Sequence, residues 1–209
     1  MTLRFRTLTL LAAFAAFTPS FVLAQEKKAD DKGFVQLFNG KDLDGWEAYN
    51  GKGKQDDVSK NWVVKDGVIE GSGPVSHLFV PKGNYKNFIY RAEVNIADKA
   101  NSGMYFRTAK GPGFPKGYEA QVNATHTDPK RTGTLYNFVP VTKDLVPPNT
   151  WFTQEIEAVG DHIIIRVNGE KVVDFKDPKN TFTEGFFAFQ QHDPSSHVKI
   201  RKVEVKELP

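Results

Sequence analysis

Two short runs, Asn101 to Arg107 (NSGMYFR) and Gly117 to Gln121 (GYEAQ), carry residue types that could do acid–base work. They read as two strands joined by the Gly/Pro-rich segment TAKGPGFPK, and successive strand residues point to opposite faces. Tyr105 and Arg107 then share one face, as do Glu119 and Gln121. Met104, Phe106, Tyr118, Ala120 and Val122 make the apolar side. An Arg, a Glu and a Gln facing one way form either a polar binding surface or an ordinary cross-strand pair on a solvated face. Spacing alone leaves both open.

A few further residues could join such a surface. His192 ends the run Phe189-Gln190-Gln191 and shares strand parity with Gln190. Glu93 points away from the apolar side of its own strand, as Glu119 does. Glycoside cleavage usually needs two carboxyl groups roughly 5 to 10 Å apart, and Glu93 with Glu119 on one concave sheet could meet that. The carboxylate-x-carboxylate repeat of many jelly-roll glycosidases is absent, so an ordinary two-carboxylate glycosidase is poorly supported. Tyr105, Tyr136 and Trp151 could stack on sugar rings, with core packing as the bland alternative; parity places Tyr118 in the core. The five His show no local pair with metal-ligand spacing. The His and Glu present would allow a divalent metal, but nothing in the pattern demands one.

These residues need a β scaffold. No long stretch has a helical period; short β-like runs alternate with turn signals. Trp62-Val63-Val64 and Val68-Ile69-Glu70 flank Asp66-Gly67, and Ile163 to Val167 and Lys171 to Phe175 flank Asn168-Gly169. Both patterns predict hairpins with two-residue turns. Phe88 to Ile96, Trp151 to Val159 and Val198 to Leu208 alternate strictly, Leu135 to Phe138 reads as one more strand, and Gly185 to Gln191 is aromatic-rich. With 17 Phe, the expected fold is all-β, a two-sheet antiparallel β-sandwich or jelly roll.

The chain opens MTLRFRTLTLLAAFAAFTPSFVLAQ. Arg4 and Arg6 precede an apolar run too short to span a membrane, and Val22-Leu23-Ala24 suits cleavage. The expected organisation is a signal peptide at 1–24, a charged leader at 25–33 and one domain at 34–209. The mature chain would then be periplasmic or secreted, with no transmembrane segment after cleavage. Arg4 and Arg6 are two of the 28 Lys and Arg; the rest nearly balance the 25 Asp and Glu, giving no electrostatic case for nucleic acid. There is no Cys, which excludes thiol nucleophiles and thiolate metal ligands. GxSxG, P-loop and HExxH motifs are also missing. Oligomeric state is not readable.

Six segments then appear in order: LFNGKDLDGW, WVVKDGVIEG, NSGMYFR, GYEAQ, IIIRVNGEKVVDF and FQQHDPSSHVKIRKVEVKEL. Together they resemble the bacterial 3-keto-disaccharide hydrolase domain family over Phe34 to Leu208. The resemblance implies a concanavalin-like jelly roll, a carbohydrate partner and cleavage of a glycosidic bond in a sugar oxidised at C3. It implies Glu119 as base at C2, Arg107 at the C3 carbonyl or a hydroxyl, and His192 as acid. Asn101, Gln121 and Gln190 would bind hydroxyls. A non-catalytic carbohydrate-binding module and a structural envelope domain on the same fold are the alternatives.

Overall fold

The computed structural model describes residues 32–209. The expected signal peptide, and all of the leader but its last two residues, lie outside them. In chain order the strands begin with β1 (Val35–Gln36), β2 (Glu47–Asn50), β3 (Gly53–Lys54), β4 (Trp62–Lys65) and β5 (Val68–Gly71). Then come β6 (Ser76–Phe79), β7 (Phe88–Ile96), β8 (Ser102–Thr108), β9 (Tyr118–Val122) and β10 (Trp151–Val159). The last are β11 (His162–Val167), β12 (Glu170–Lys176), β13 (Phe186–Gln191) and β14 (Val198–Glu207).

They form two antiparallel sheets. One runs β12-β11-β10-β7-β14-β5-β4, with β1 added along β14; the other runs β3-β2-β6-β13-β8-β9. The expected all-β sandwich is what the chain forms. Both predicted two-residue turns are present. Asp66 and Gly67 have φ of 50° and 77°, and Asn168 and Gly169 have 50° and 81°, the left-handed pair that a tight hairpin needs. Between the sheets lies an aromatic core. The Phe187 ring of β13 stacks on Tyr90 of β7 at 4.0 Å and on Tyr85 at 4.3 Å, tying the two layers together.

Two irregularities break the simple alternation. In β14 the buried residues are Val198, Ile200, Val203 and Val205, so parity changes where the register to β7 slips between Arg201 and Glu204. Lys202 there has φ 49°, the left-handed residue of a β-bulge. Strand β8 does the same. Against β13, Tyr105 pairs with Ala188 but Thr108 with Phe186, so one extra residue sits on β8. Arg107 has φ 49°. Leu135 to Phe138 is not a strand; Leu135 makes isolated bridges to Ala120 and Val139 around a turn.

Candidate functional site

The outer face of the β3-to-β9 sheet holds a cleft of about 570 Å³. Its floor follows from cross-strand register. Phe79, Ala188, Tyr105 and Glu119 stand side by side across β6, β13, β8 and β9. Next to them His77 pairs with Gln190, and Gly103 with Gln121. Alternation within each strand thus brings His77, Gln190, Tyr105, Glu119 and Gln121 to one surface, while Met104, Phe106, Tyr118 and Ala120 turn into the core. Of the residues singled out from sequence, Asn101, Tyr105, Glu119, Gln121, Tyr136, Gln190 and His192 all line this cleft.

Glu119 lies at its base. Tyr105 Oη donates to Glu119 Oε2 at 2.8 Å, and Gln190 Nε2 donates to Tyr105 Oη at 3.1 Å. Burial raises the Glu119 carboxyl to about 7, against the opposing pull of the Tyr105 hydrogen bond; the Asp128 charge adds to the rise. Burial first, and then the Glu119 charge, push the Tyr105 phenol far above its ordinary range. The phenol therefore stays protonated and remains a donor. His77 is fully buried and held to about 3 by desolvation, with the neighbouring His192 adding to the effect. It is a neutral imidazole.

The polar groups around Glu119 are incompletely paired. Asn101 Oδ1, Gln190 Oε1 and His77 Nδ1 are buried without a partner. Orphaned buried acceptors are costly unless a ligand or water meets them. Among the described residues Glu119 is the only carboxylate lining the cleft.

Three expectations are corrected. Arg107 does not face the cleft with Tyr105. The bulge turns its guanidinium to one end of the sandwich, where it donates to the carbonyls of Lys86 (2.5 and 2.9 Å), Gly160 (2.7 Å) and Phe182 (3.2 Å). It is 2% exposed and staples three loops. Glu93 lies on β7, in the opposite sheet, where it pairs with Arg201 at 2.6 Å and Lys202 at 2.5 Å. It cannot share a ligand with Glu119. Trp151 is likewise on that other sheet, with Arg201 over its ring at 4.1 Å.

Residues 33–206 match the 3-keto-alpha-glucoside-1,2-lyase-like domain. The chain belongs to this family. No curated protein sequence matches it. Among solved structures it resembles a candidate glycosyl hydrolase from Parabacteroides distasonis, with 29% identity and a TM-score of 0.72, covering 90% of this chain and 99% of that one. It also shares its fold with a carbohydrate-binding module from Bacillus subtilis: 20% identity, TM-score 0.59, 78% of this chain and 96% of that one. A pseudo β-1,3-glucanase of Mycobacterium tuberculosis is 9% identical, with a TM-score of 0.59 over 84% of this chain and 98% of that one. The protein is thus a jelly roll of the kind shared by glycosyl-hydrolase-like and carbohydrate-binding proteins.

In this family member several residues at the cleft are not singled out from the sequence. Phe114, in the loop between β8 and β9, is 59% exposed at the cleft, its ring 5.6 Å from His77 and 6.3 Å from His192. An exposed Phe in a GPGFPKG loop was a readable signal, because a loop has no core for the ring to enter. Asp193 orients His192, with His192 Nδ1 and Asp193 Oδ2 2.8 Å apart. Burial disfavours the Asp193 charge, yet bonds from Ser195, His192 and Ser196 hold it well below the ordinary carboxylate range. His126 stands 5.6 Å from His192, ring to ring. No sequence spacing links positions 126 and 192, so only the folded chain reveals that pair.

Proposed function

We propose that this protein is an exported enzyme that binds a saccharide in the cleft and cleaves the glycosidic bond of a sugar oxidised at C3. One observation carries the reading. Among the described residues the cleft is lined by a single carboxylate, Glu119, raised by burial to about 7 and bonded by the neutral phenol of Tyr105. Direct glycoside hydrolysis usually takes two carboxyl groups. Removal of an acidified C–H proton takes one base matched to neutral pH.

A ketone at C3 acidifies the C2 proton. Ionised Glu119 takes that proton, and the C–H electrons form a C2=C3 enolate. The amide N–H groups of Asn101 and Gln121 supply donors for its oxygen. Re-formation of the C3 carbonyl expels the C1 oxygen and leaves a C1=C2 double bond. His192, oriented by Asp193, protonates the departing oxygen. Water adding at C1, with a proton returned to C2, completes net hydrolysis; without that addition the reaction is an elimination. The bond from Tyr105 keeps the Glu119 carboxylate aimed along the cleft.

A second reading is a binding module without turnover, favoured by the exposed Phe114 ring. A panel of 3-keto-glycosides, beginning with 3-keto-trehalose and 3-keto-lactose, distinguishes the two. Released monosaccharide or unsaturated keto-sugar is expected, and Glu119→Gln should abolish it. Saturable binding with no product from any member would establish the binding module instead.

A further inference from the structure

One cluster at the cleft is only partly used by this chemistry. His126, His192 and Asp193 each offer a ligand atom, and these atoms lie within 4.8 Å of one another. They come from two separate loops, and each loop is fastened. Asn123 Oδ1 accepts the His126 N–H at 2.8 Å, while Arg131 Nη1 donates to the His126 carbonyl at 2.8 Å. On the other side, Ser195 donates to Asp193 Oδ1 through both its N–H and its hydroxyl, and the Ser196 hydroxyl donates to Oδ2. Convergence is thus built into the loops rather than left to mobile side chains.

An independent observation points to a ligand at the same place. Asn101 is 3% exposed and lines the cleft, its Nδ2 is 3.5 Å from His126 Nδ1, and its Oδ1 is buried with no partner. The Asn101 amide therefore borders the cluster through its nitrogen, and its buried oxygen still needs a partner. Each imidazole also has a second nitrogen beyond its hydrogen bond to Asp193 or to the Asp128 N–H.

We propose that His126, His192 and Asp193 bind a first-row divalent transition-metal ion, with Asn101 Oδ1 as an additional ligand. Two imidazole nitrogens and one carboxylate suit Zn²⁺, Co²⁺, Mn²⁺ or Fe²⁺ better than Ca²⁺ or Mg²⁺, which prefer all-oxygen sets. The two imidazoles and the carboxylate leave coordination positions open, and with Asn101 added a five- or six-coordinate ion still has room, as catalytic rather than structural sites do. The binding claim stands on these residues alone. If the saccharide reading also holds, the ion serves as the electrophile at this end of the cleft, in place of a proton on His192.

Tag-free protein, stripped with EDTA and dialysed, is titrated with Co²⁺ and then Zn²⁺, following visible absorbance and heat. One ion per chain is expected, with Co²⁺ bands that Zn²⁺ displaces. His126→Gln and His192→Gln should each weaken binding by about 100-fold or more. His162→Gln, on β11 of the other sheet, should leave it unchanged. Thermal melts report whether each variant is folded, and His126→Gln decides alone if the other is not. No saturable binding below about 1 mM, or binding unaltered in folded His126→Gln, overturns the proposal. Turnover of a 3-keto-glycoside by metal-free protein would also remove the ion from the chemistry while leaving the Glu119 mechanism intact.

Discussion

Gly103 and Glu119 lie diagonally across β8 and β9, so close that a Cβ at position 103 would stand 2.3 Å from Glu119 Oε1 and 3.0 Å from its Cγ and Cδ. The glycine therefore provides the room into which the carboxylate folds. Its function is local to the site, because the obstructed atoms belong to one flexible side chain rather than to backbone.

Gly103→Ala follows directly from that contact. The strand should persist, since Glu119 can swing away at little cost, but the carboxylate leaves its bond to Tyr105. Expected outcomes are a Tm within a few degrees of wild type and a fall in kcat of about 10²-fold or more on a turned-over 3-keto-glycoside. Full activity in Gly103→Ala would mean that the position of Glu119 is not critical.

The pH dependence has a definite sign. The Glu119 carboxyl is raised in the fold from 4.5 to about 7, so the native state favours its protonated form. Stability from this group is fully present below about pH 4.5 and is lost as pH rises through 7. Glu119→Gln should therefore raise stability at pH 8 by on the order of 1–3 kcal/mol and have little effect at pH 4.5, read by urea melts at both values. Activity runs the other way: kcat/KM should climb through about pH 7 as the base ionises. Glu119→Gln should cost about 10²–10⁴-fold. A flat profile from pH 5 to 9 would assign proton removal to another group.

Arg107 is expected to matter for folding rather than chemistry. Arg107→Leu leaves the carbonyls of Lys86, Gly160 and Phe182 without their donor in a buried setting. The cost should be about 2–4 kcal/mol, measured by denaturant titration. Activity per folded molecule should remain within several-fold of wild type. A 100-fold loss of kcat at unchanged stability would return Arg107 to the site.

These cases show what could be read in advance. Asp66-Gly67 and Asn168-Gly169 disclosed their hairpins because a tight turn imposes its own residue types. Glu119, Tyr105 and Gln121 were legible because parity holds along β8 as far as Phe106 and along β9. Arg107 was misplaced by the same counting, since a bulge with a non-glycine residue at positive φ has no sequence mark and one extra residue redirects every later side chain. Glu93 resembled Glu119 in pattern but lies in the other sheet, and strand parity does not say which sheet a strand joins. His77 was visible as a residue, but its place beside Gln190 depends on the pairing of β6 with β13, which are more than 100 positions apart.

Phe114 supplies the last expectation. It is the large apolar side chain most exposed at the cleft, projecting from the β8–β9 loop, and its ring is edge-on to His77 at 73°. A ring held against one imidazole and open on its other side offers a surface for the apolar face of a pyranose. Phe114→Ala removes that surface without touching Glu119, Tyr105 or their hydrogen bonds. Saccharide affinity or KM should weaken by about tenfold, the amount a single aromatic contact contributes. Phe114→Trp should recover most of it, while kcat and the limb near pH 7 stay unchanged. Should Phe114→Ala lower kcat and leave KM unaltered, the loop acts on the reacting groups and not on sugar binding.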